Sequence, residues 1–497
     1  MGRLHVVTIP HRLDFLIVKP KTSSYDIGNF LHRTVPNLKA FLMSDKTNAI
    51  STVEKSAHDV DAKQVLQQHP LADAIDRYLH CTRDIKFAAR VFITAANEVM
   101  QKQSETLKED FHKAEILMES SDSGNRAHGV KLAFAASRTA KRLIFSNLPA
   151  QLESSLFISL FSSFDMFTGE LITALHLKKP ALFDRLNRTV PLSTILAAVS
   201  IDDLKANVLN EEIEGFRRKS YPEQFDYLEA AFGLSLKKFP RWSDFVEATQ
   251  RRNLFTHCGG VVSEQYRTVC EREGVPLKEI APVGDRLILG PKYFLPTCEL
   301  LHEVALKLGH TLWRKVLPED LKAADIHLNS VVYDALSLEQ WERAEIAGEF
   351  FAHQKTFSND LYRRMAAVNY AIALKRQKKI EAMKSALSVH DWSASIPEFR
   401  LAEAILLDET ENAIAIMKMI GIKGQLLEEH SYYSWPLFQE FCQQLEFQQT
   451  YESIYGYPFV HKVQTEARQE LSALEDQKEL EDQQSATEFL QDETDKN

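Results

Sequence analysis

Residues 153–176, "ESSLFISLFSSFDMFTGELITALH", place Phe157, Leu160, Phe161, Phe164, Phe167, Leu171 and Leu175 at spacings of three and four. Those positions cover overlapping faces of one helix. A helix apolar on nearly every side must be surrounded by neighbours. Asp165 and Glu170 interrupt the run, so the segment is too polar to cross a bilayer and is expected in a protein core. The fold class that follows is mainly α.

Upstream, residues 1–150 open with a short β-prone stretch and continue as a polar, helical N-terminal region of unassigned role. "ADAIDRYLHCTRDIKFAARVFITAANEVMQKQ" repeats its apolar positions with helical spacing through Ile75, Leu79, Ile85 and Val91. "ESSDSGNRAHG", 119–129, is expected to be a loop, followed by the helix "VKLAFAASRTAKRLIFSNL". Downstream, residues 151–325 form a helical bundle whose helix starts are legible. Pro191 marks the first turn of "VPLSTILAAV", Ser200 precedes "IDDLKANVL", and Ser220 precedes "YPEQFDYLEAAFG". Ser263 caps a helix through Cys270, and Gly284-Asp285 centre a hairpin or loop before a helix from about 291 to 316. From 326 to 463 small Ala positions alternate with large apolar ones, as in the helical hairpins of a tetratricopeptide-like array, although no strict period is visible. Phe350, Phe351 and Tyr370 belong to the core of that array. Residues 464–497 carry eleven acidic against three basic side chains and are expected to be a solvated, disordered tail.

The totals narrow the function classes. Of 497 residues, 44% are apolar and 26% charged, enough for a sizeable core, and only 17 are Gly and 17 Pro, too few for a turn-rich β architecture. Five scattered cysteines form no CxxC pair, which suggests reduced thiols and a cytoplasmic setting. No secretory apolar run is visible at the start. The net charge of −10 lies mostly in the acidic tail, so the body is near neutral and any RNA contact has to be local. No Walker loop, GxGxxG, GxSxG or HExxH occurs. His80-Cys81 and His302…His310 lack metal-ligand spacing, so no metal and no cofactor is expected.

Chemistry-bearing residues concentrate in "EATQRRNLFTHCGGVVSEQY", 247–266. Arg252 and His257 stand five apart, a spacing that chance alone would produce; their surroundings give it weight. Asn253 and His257 are four apart and share a helical face. The helix "PRWSDFVEATQRRNLFTH" ends at Gly259-Gly260, a glycine stop that lets the chain leave sharply. Carbonyls of that last turn favour a cationic neighbour. Asp165 sits in the aromatic helix upstream, as a structural acceptor or as a supporting group of the same cleft. Arg251 is a second supporting candidate. Cys258 and Tyr266 are read as packing residues.

The run from about 150 to 320 resembles a HEPN domain, the helical ribonuclease family of prokaryotic defence and toxin systems. The resemblance rests on Arg252-Asn253-Leu254-Phe255-Thr256-His257, which matches that family's arginine, polar residue, three further residues and histidine. "TQRRNLFTHCGGVVSEQY" resembles the flanks seen in abortive-infection members, and "FSSFDMFTGELI" resembles the opening helix. The resemblance implies a metal-independent endoribonuclease in which a ribose 2′-hydroxyl attacks the adjacent phosphate. Arg252 would bind that phosphate, His257 would transfer protons, and Asn253 would orient the phosphate or fix the histidine tautomer. One departure is clear: where antitoxin-linked members carry a tyrosine two residues after the histidine, this chain has Gly259, which puts that regulatory route in doubt.

Five residues amount to about 140° around an ideal helix, so Arg252 and His257 do not share a face. Either the arginine wraps around the last turn, or two chains pool their motifs across a two-fold axis, as the family does. A homodimer acting on RNA, triggered by a protein bound to the helical array, is the expectation. The alternatives are a non-catalytic HEPN scaffold and a helical-repeat adaptor that binds RNA or a protein.

Overall fold

The computed structural model describes residues 69–186 and 189–465, together with Ala467, Arg468, Leu471 and Ser472. The described residues from His69 to Gly456 form one compact unit, and those from Tyr457 onward belong to another. The β-prone opening of the chain and most of the acidic tail lie outside the described residues.

The protein is mainly helical, and no strand occurs among the described residues. In the bundle, α1 (Pro70–Ala88) runs through a π-helical turn (Ala89–Ile93) into α2 (Thr94–Glu119), which pairs with α3 (Ser123–Phe145) as a long hairpin. The aromatic helix α4 (Leu148–Lys178) follows. Then come the short α5 (Leu192–Ala197), α6 (Ile201–Arg217), α7 (Tyr221–Phe232), α8 (Trp242–His257), α9 (Glu264–Arg272) and the long α10 (Gly290–Val316).

Phe157, Leu160, Phe161 and Phe164 on α4 have no exposed surface. They are enclosed by α1, α8 and α10, the neighbours that the all-round apolarity requires. Part of the stretch 123–178 is long and apolar enough, by composition, to cross a membrane, and half of that window is buried in the fold. Leu71, Ile75 and Tyr78 of α1 are buried against α4 and α10. The packing is therefore not divided at residue 150, because a helix from before that position fills the bundle core.

Local starts follow the sequence chemistry. Ser200 Oγ accepts from Asp203 N at 3.0 Å, Ser220 and Glu223 form a capping box, and Ser263 Oγ accepts from Tyr266 N at 3.2 Å. The loop expected over 119–129 is shorter than its composition suggests. Asp122 caps α3 by accepting from Asn125 N at 2.8 Å, and Gly129 lies inside the helix. A Cβ at Gly129 would lie 2.8 Å from both Ala114 O and Met118 N, so this glycine serves close helix approach rather than a turn.

Beyond the bundle come α11 (Leu321–Ser337), α12 (Trp341–Ala352), α13 (Asp360–Arg376), α14 (Ile380–Ser388), α15 (Pro397–Leu406), α16 (Thr410–Ile420) and, after short helical turns, α17 (Leu445–Tyr455). Each pair α11–α12, α13–α14 and α15–α16 closes through a non-glycine residue with positive φ: Glu339 at 54°, Lys378 at 60° and Asp408 at 62°. The following amide bonds back to the helix in each case, Gln340 N to Ala335 O, Lys379 N to Leu374 O and Glu409 N to Ala404 O, at 2.8–3.0 Å. The stretches 359–387 and 397–421 are thus each two helices, broken at residues that carry no glycine signal.

Candidate functional site

Helix α8 is held from its buried side. Phe245, Val246 and Ala248 pack inward, and Glu247, 9% exposed, sits among them. Glu247 Oε1 accepts from Arg251 Nε at 2.8 Å and from Tyr266 Oη at 2.7 Å, while Oε2 accepts from Tyr293 Oη at 2.5 Å. The Arg251 guanidinium lies 3.6 Å from the centre of the Tyr293 ring and donates to Ile288 O at 3.2 Å. Arg251 therefore ties α8 to α10 and to the loop before it. Its donors serve that cage and do not accompany Arg252. Burial, with the nearby Glu247 carboxylate, pushes the Tyr266 hydroxyl well above its ordinary range. Tyr266 packs, as its place in the sequence suggests.

Arg252 faces a different neighbour. Its Nη2 donates to Asp165 Oδ2 on α4 at 2.9 Å, and its Nη1 donates to Asn253 Oδ1 at 3.1 Å. The guanidinium carbon stands 5.7 Å from the Tyr221 ring centre, and the buried Nε has no hydrogen-bond partner. Arg217, from the end of α6, donates its Nε to Asp165 O at 3.0 Å. Its guanidinium lies over Gly169, where a Cβ would come within 2.2 Å of Nη2. Burial pushes the Asp165 carboxyl up from its usual range, and a hydrogen bond from Tyr221 and the charges of Arg252 and Arg217 pull it back. Asp165, Arg252 and Asn253 are thus brought together, with Arg217 and Tyr221 beside them.

His257 occupies the last turn of α8, exposed, with no hydrogen bond or ion pair among the described residues. Asn253 is one turn earlier on the same face. The chain leaves through Cys258 N and Gly260 N, which both bond to Leu254 O, at 2.8 and 3.1 Å. Gly259 and Gly260 have φ of 57° and 80°. A Cβ on Gly260 would meet Phe255 Cζ at 3.0 Å and Leu287 O at 3.2 Å. Residues 260–262 pair with 284–287 through Val262 N to Asp285 O and Leu287 N to Gly260 O, both 2.9 Å. The turn at Gly284-Asp285 therefore pairs with the segment after the motif and does not form a hairpin of its own. It closes a small core of Leu254, Val262, Tyr266, Cys270, Val275 and Ile280.

Arg217 and Tyr221 were not legible as site residues. "FRRKSYPEQ" reads as a helix end and a capping box, and only the contact with α4 selects one arginine from the pair. Among the described residues no group of three or more His, Cys, Asp or Glu side chains is placed to hold a metal ion. No protein-family model matches the chain, and no curated protein or solved structure matches it either.

Proposed function

We propose that the protein is an endoribonuclease of the HEPN type, acting through Arg252, Asn253 and His257. The observation that carries this reading is the contrast between two polar side chains in the C-terminal part of α8. Arg252 is held at its Nη atoms by Asp165 and Asn253, while His257, five residues on, is exposed and uncommitted. A positioned guanidinium can receive the phosphoryl oxygens of a scissile phosphate. A free imidazole can remove the 2′-hydroxyl proton or protonate the leaving 5′-oxygen. The bond from the 2′-oxygen to phosphorus forms as the bond to the 5′-oxygen breaks, leaving 2′,3′-cyclic phosphate and 5′-hydroxyl ends. Because Arg252 and His257 lie on different faces of α8, the two roles are best served by motifs from two copies meeting across a two-fold axis. A role as a toxin or antiphage effector goes with the family resemblance. The helix pairs from α11 to α16, closed by one kind of turn, support the reading of that region as a repeat array open to a protein trigger.

Purified chain is incubated with end-labelled RNA, and the product ends are mapped. Wild type is expected to give cyclic phosphate ends, and His257→Ala to lose at least about a hundredfold in rate. Equal cleavage by both proteins, or products with other ends, would overturn the reading. One observation favours the non-catalytic scaffold: the Asp165 carboxylate already neutralises Arg252 across two helices. In that case Arg252→Ala lowers the melting temperature and His257→Ala changes nothing.

A further inference from the structure

We infer that the outer face of α3 is a binding surface for single-stranded RNA; the inference rests on the ribonuclease reading for its purpose, though its test does not depend on cleavage. α3 contains Arg126, Lys131, Arg138, Lys141 and Arg142 and no Asp or Glu in its 23 residues. The near-neutral body of the chain leaves any RNA contact to a local patch, and this helix is strongly basic. Gly129 and Ala136 are buried toward α2, which fixes the opposite side as the outer face.

At about 100° per residue, Lys131, Phe134, Arg138, Lys141, Arg142 and Phe145 fall within roughly 100° of one another on that outer face. All six are exposed, Phe134 by 67% and Phe145 by 86%. None of the four cations has an ion pair or hydrogen bond among the described residues, although α2 alongside carries six carboxylates. Cations alternating with open aromatic rings are what an unpaired strand requires: phosphates for the cations and base faces for the rings. A second copy laid on the same face would bring cation against cation.

The probe is a fluorescein-labelled 2′-O-methyl RNA of mixed sequence, about 20 nucleotides long, which lacks the 2′-hydroxyl nucleophile and cannot be cut by the proposed route. It is titrated with the full chain at several salt concentrations and followed by anisotropy. Wild type is expected to bind saturably, more tightly than to a duplex of equal length. The triple variant Lys131→Glu, Arg138→Glu, Lys141→Glu is expected to weaken binding at least about a hundredfold and to flatten the salt dependence. Phe134→Ala with Phe145→Ala is expected to weaken it about tenfold with the salt dependence kept. Circular dichroism confirms that each variant is folded, and Arg138→Gln with Lys141→Gln replaces the triple variant should that fail to fold. No saturable binding by wild type, or equal binding by the variants, overturns the proposal. So does loss in the variants of affinity for phosphatidylserine vesicles, or of self-association in sedimentation, without loss of RNA affinity. Variant-sensitive binding, with no cleavage of 2′-hydroxyl RNA, upholds this surface while removing the nuclease reading; cleavage of that RNA indifferent to α3 does the reverse.

Discussion

Arg251 and Arg252 are adjacent, carry the same charge and belong to the same helix, yet they are held for different ends. Arg251 completes a buried cage in which one carboxylate, Glu247, receives two tyrosine hydroxyls and a guanidinium. Removing the arginine leaves that carboxylate poorly compensated, and breaking a buried pair of this kind costs about 3–5 kcal/mol. Arg252 is partly exposed and pairs with a partly exposed Asp165, so its removal is expected to cost about 1–2 kcal/mol. Urea unfolding of Arg251→Ala and Arg252→Ala should therefore separate them. The first is expected to show the larger loss of stability, with RNA cleavage falling only as the folded fraction falls. The second should show only the smaller loss, remain folded in the absence of urea, and lose cleavage far beyond what its folded fraction explains. Equal midpoints for the two would show that the Glu247 cage contributes little. The sequence could not rank this pair: both are arginines on a helix, and their difference lies in which neighbouring helix each one faces.

The glycine exit of α8 is the element on which the motif depends, and its two glycines are not equivalent. Gly259 needs its positive φ but has open space where a Cβ would go. Gly260 needs its positive φ and also admits Phe255 and the Leu287 carbonyl at close range. Gly259→Ala is expected to cost about 1–2 kcal/mol for the left-handed backbone alone, whereas Gly260→Ala adds a steric clash that shifts Phe255 or the 284–287 segment. Thermal melts should rank Gly260→Ala below Gly259→Ala; the opposite order would mean that the contacts around Gly260 relax freely. This exit was legible in the sequence because glycine at a helix end has one dominant use. The turns between the later helices were not. Glu339, Lys378 and Asp408 take the same left-handed conformation without being glycine, at separations of 39 and 30 residues. Neither composition nor a fixed period marks them. Gly129 misleads in the other direction, since its polar surroundings suggest a loop while its missing Cβ serves helix packing. The aromatic pattern of α4 was legible because burial on all sides leaves a signal that needs no partner to be known.

Across the compact unit that ends at Gly456, α10 is the shared spine, touching α1, α4 and α8 within the bundle and α11 and α12 beyond it. Its charged and polar side chains join the two parts directly. Glu299 pairs with Lys86 of α1 and with Arg343 of α12, the latter at 2.6 Å, and Arg314 pairs with the fully buried Asp325 of α11 at 2.6 Å. The same helix carries the groups that make the unit sensitive to acid. Burial, reinforced by Arg343, pushes the His302 imidazole down to about 3, and burial with His327 and Arg314 nearby pushes His310 well below its ordinary value. A histidine whose folded-state pKa is depressed stays neutral while the unfolded chain takes up a proton. Stability is then lost as pH falls below about 6.5, and for His302 the loss continues down to about 3. Glu299 adds a second phase. Burial alone would raise its carboxyl, but the Arg343 and Lys86 hydrogen bonds and charges outweigh that and hold it at about 2. Its contribution is present above the unfolded value near 4.5 and is lost as pH falls from there toward 2. Urea midpoints measured from pH 8 to pH 3 are therefore expected to fall from about pH 6.5 and to steepen below about 4.5. His302→Gln should flatten the first phase and leave the second, and Glu299→Gln should lower stability at pH 7 and flatten the second. Because α10 is common to both parts of the unit, the bundle and the later helices should lose structure together, reported alike by the change in tryptophan emission lost on Trp313→Phe in the bundle and on Trp392→Phe beyond it, out of the five tryptophans of the chain. A pH-independent midpoint in this range, or separate transitions for the two tryptophans, would mean that α10 does not couple them.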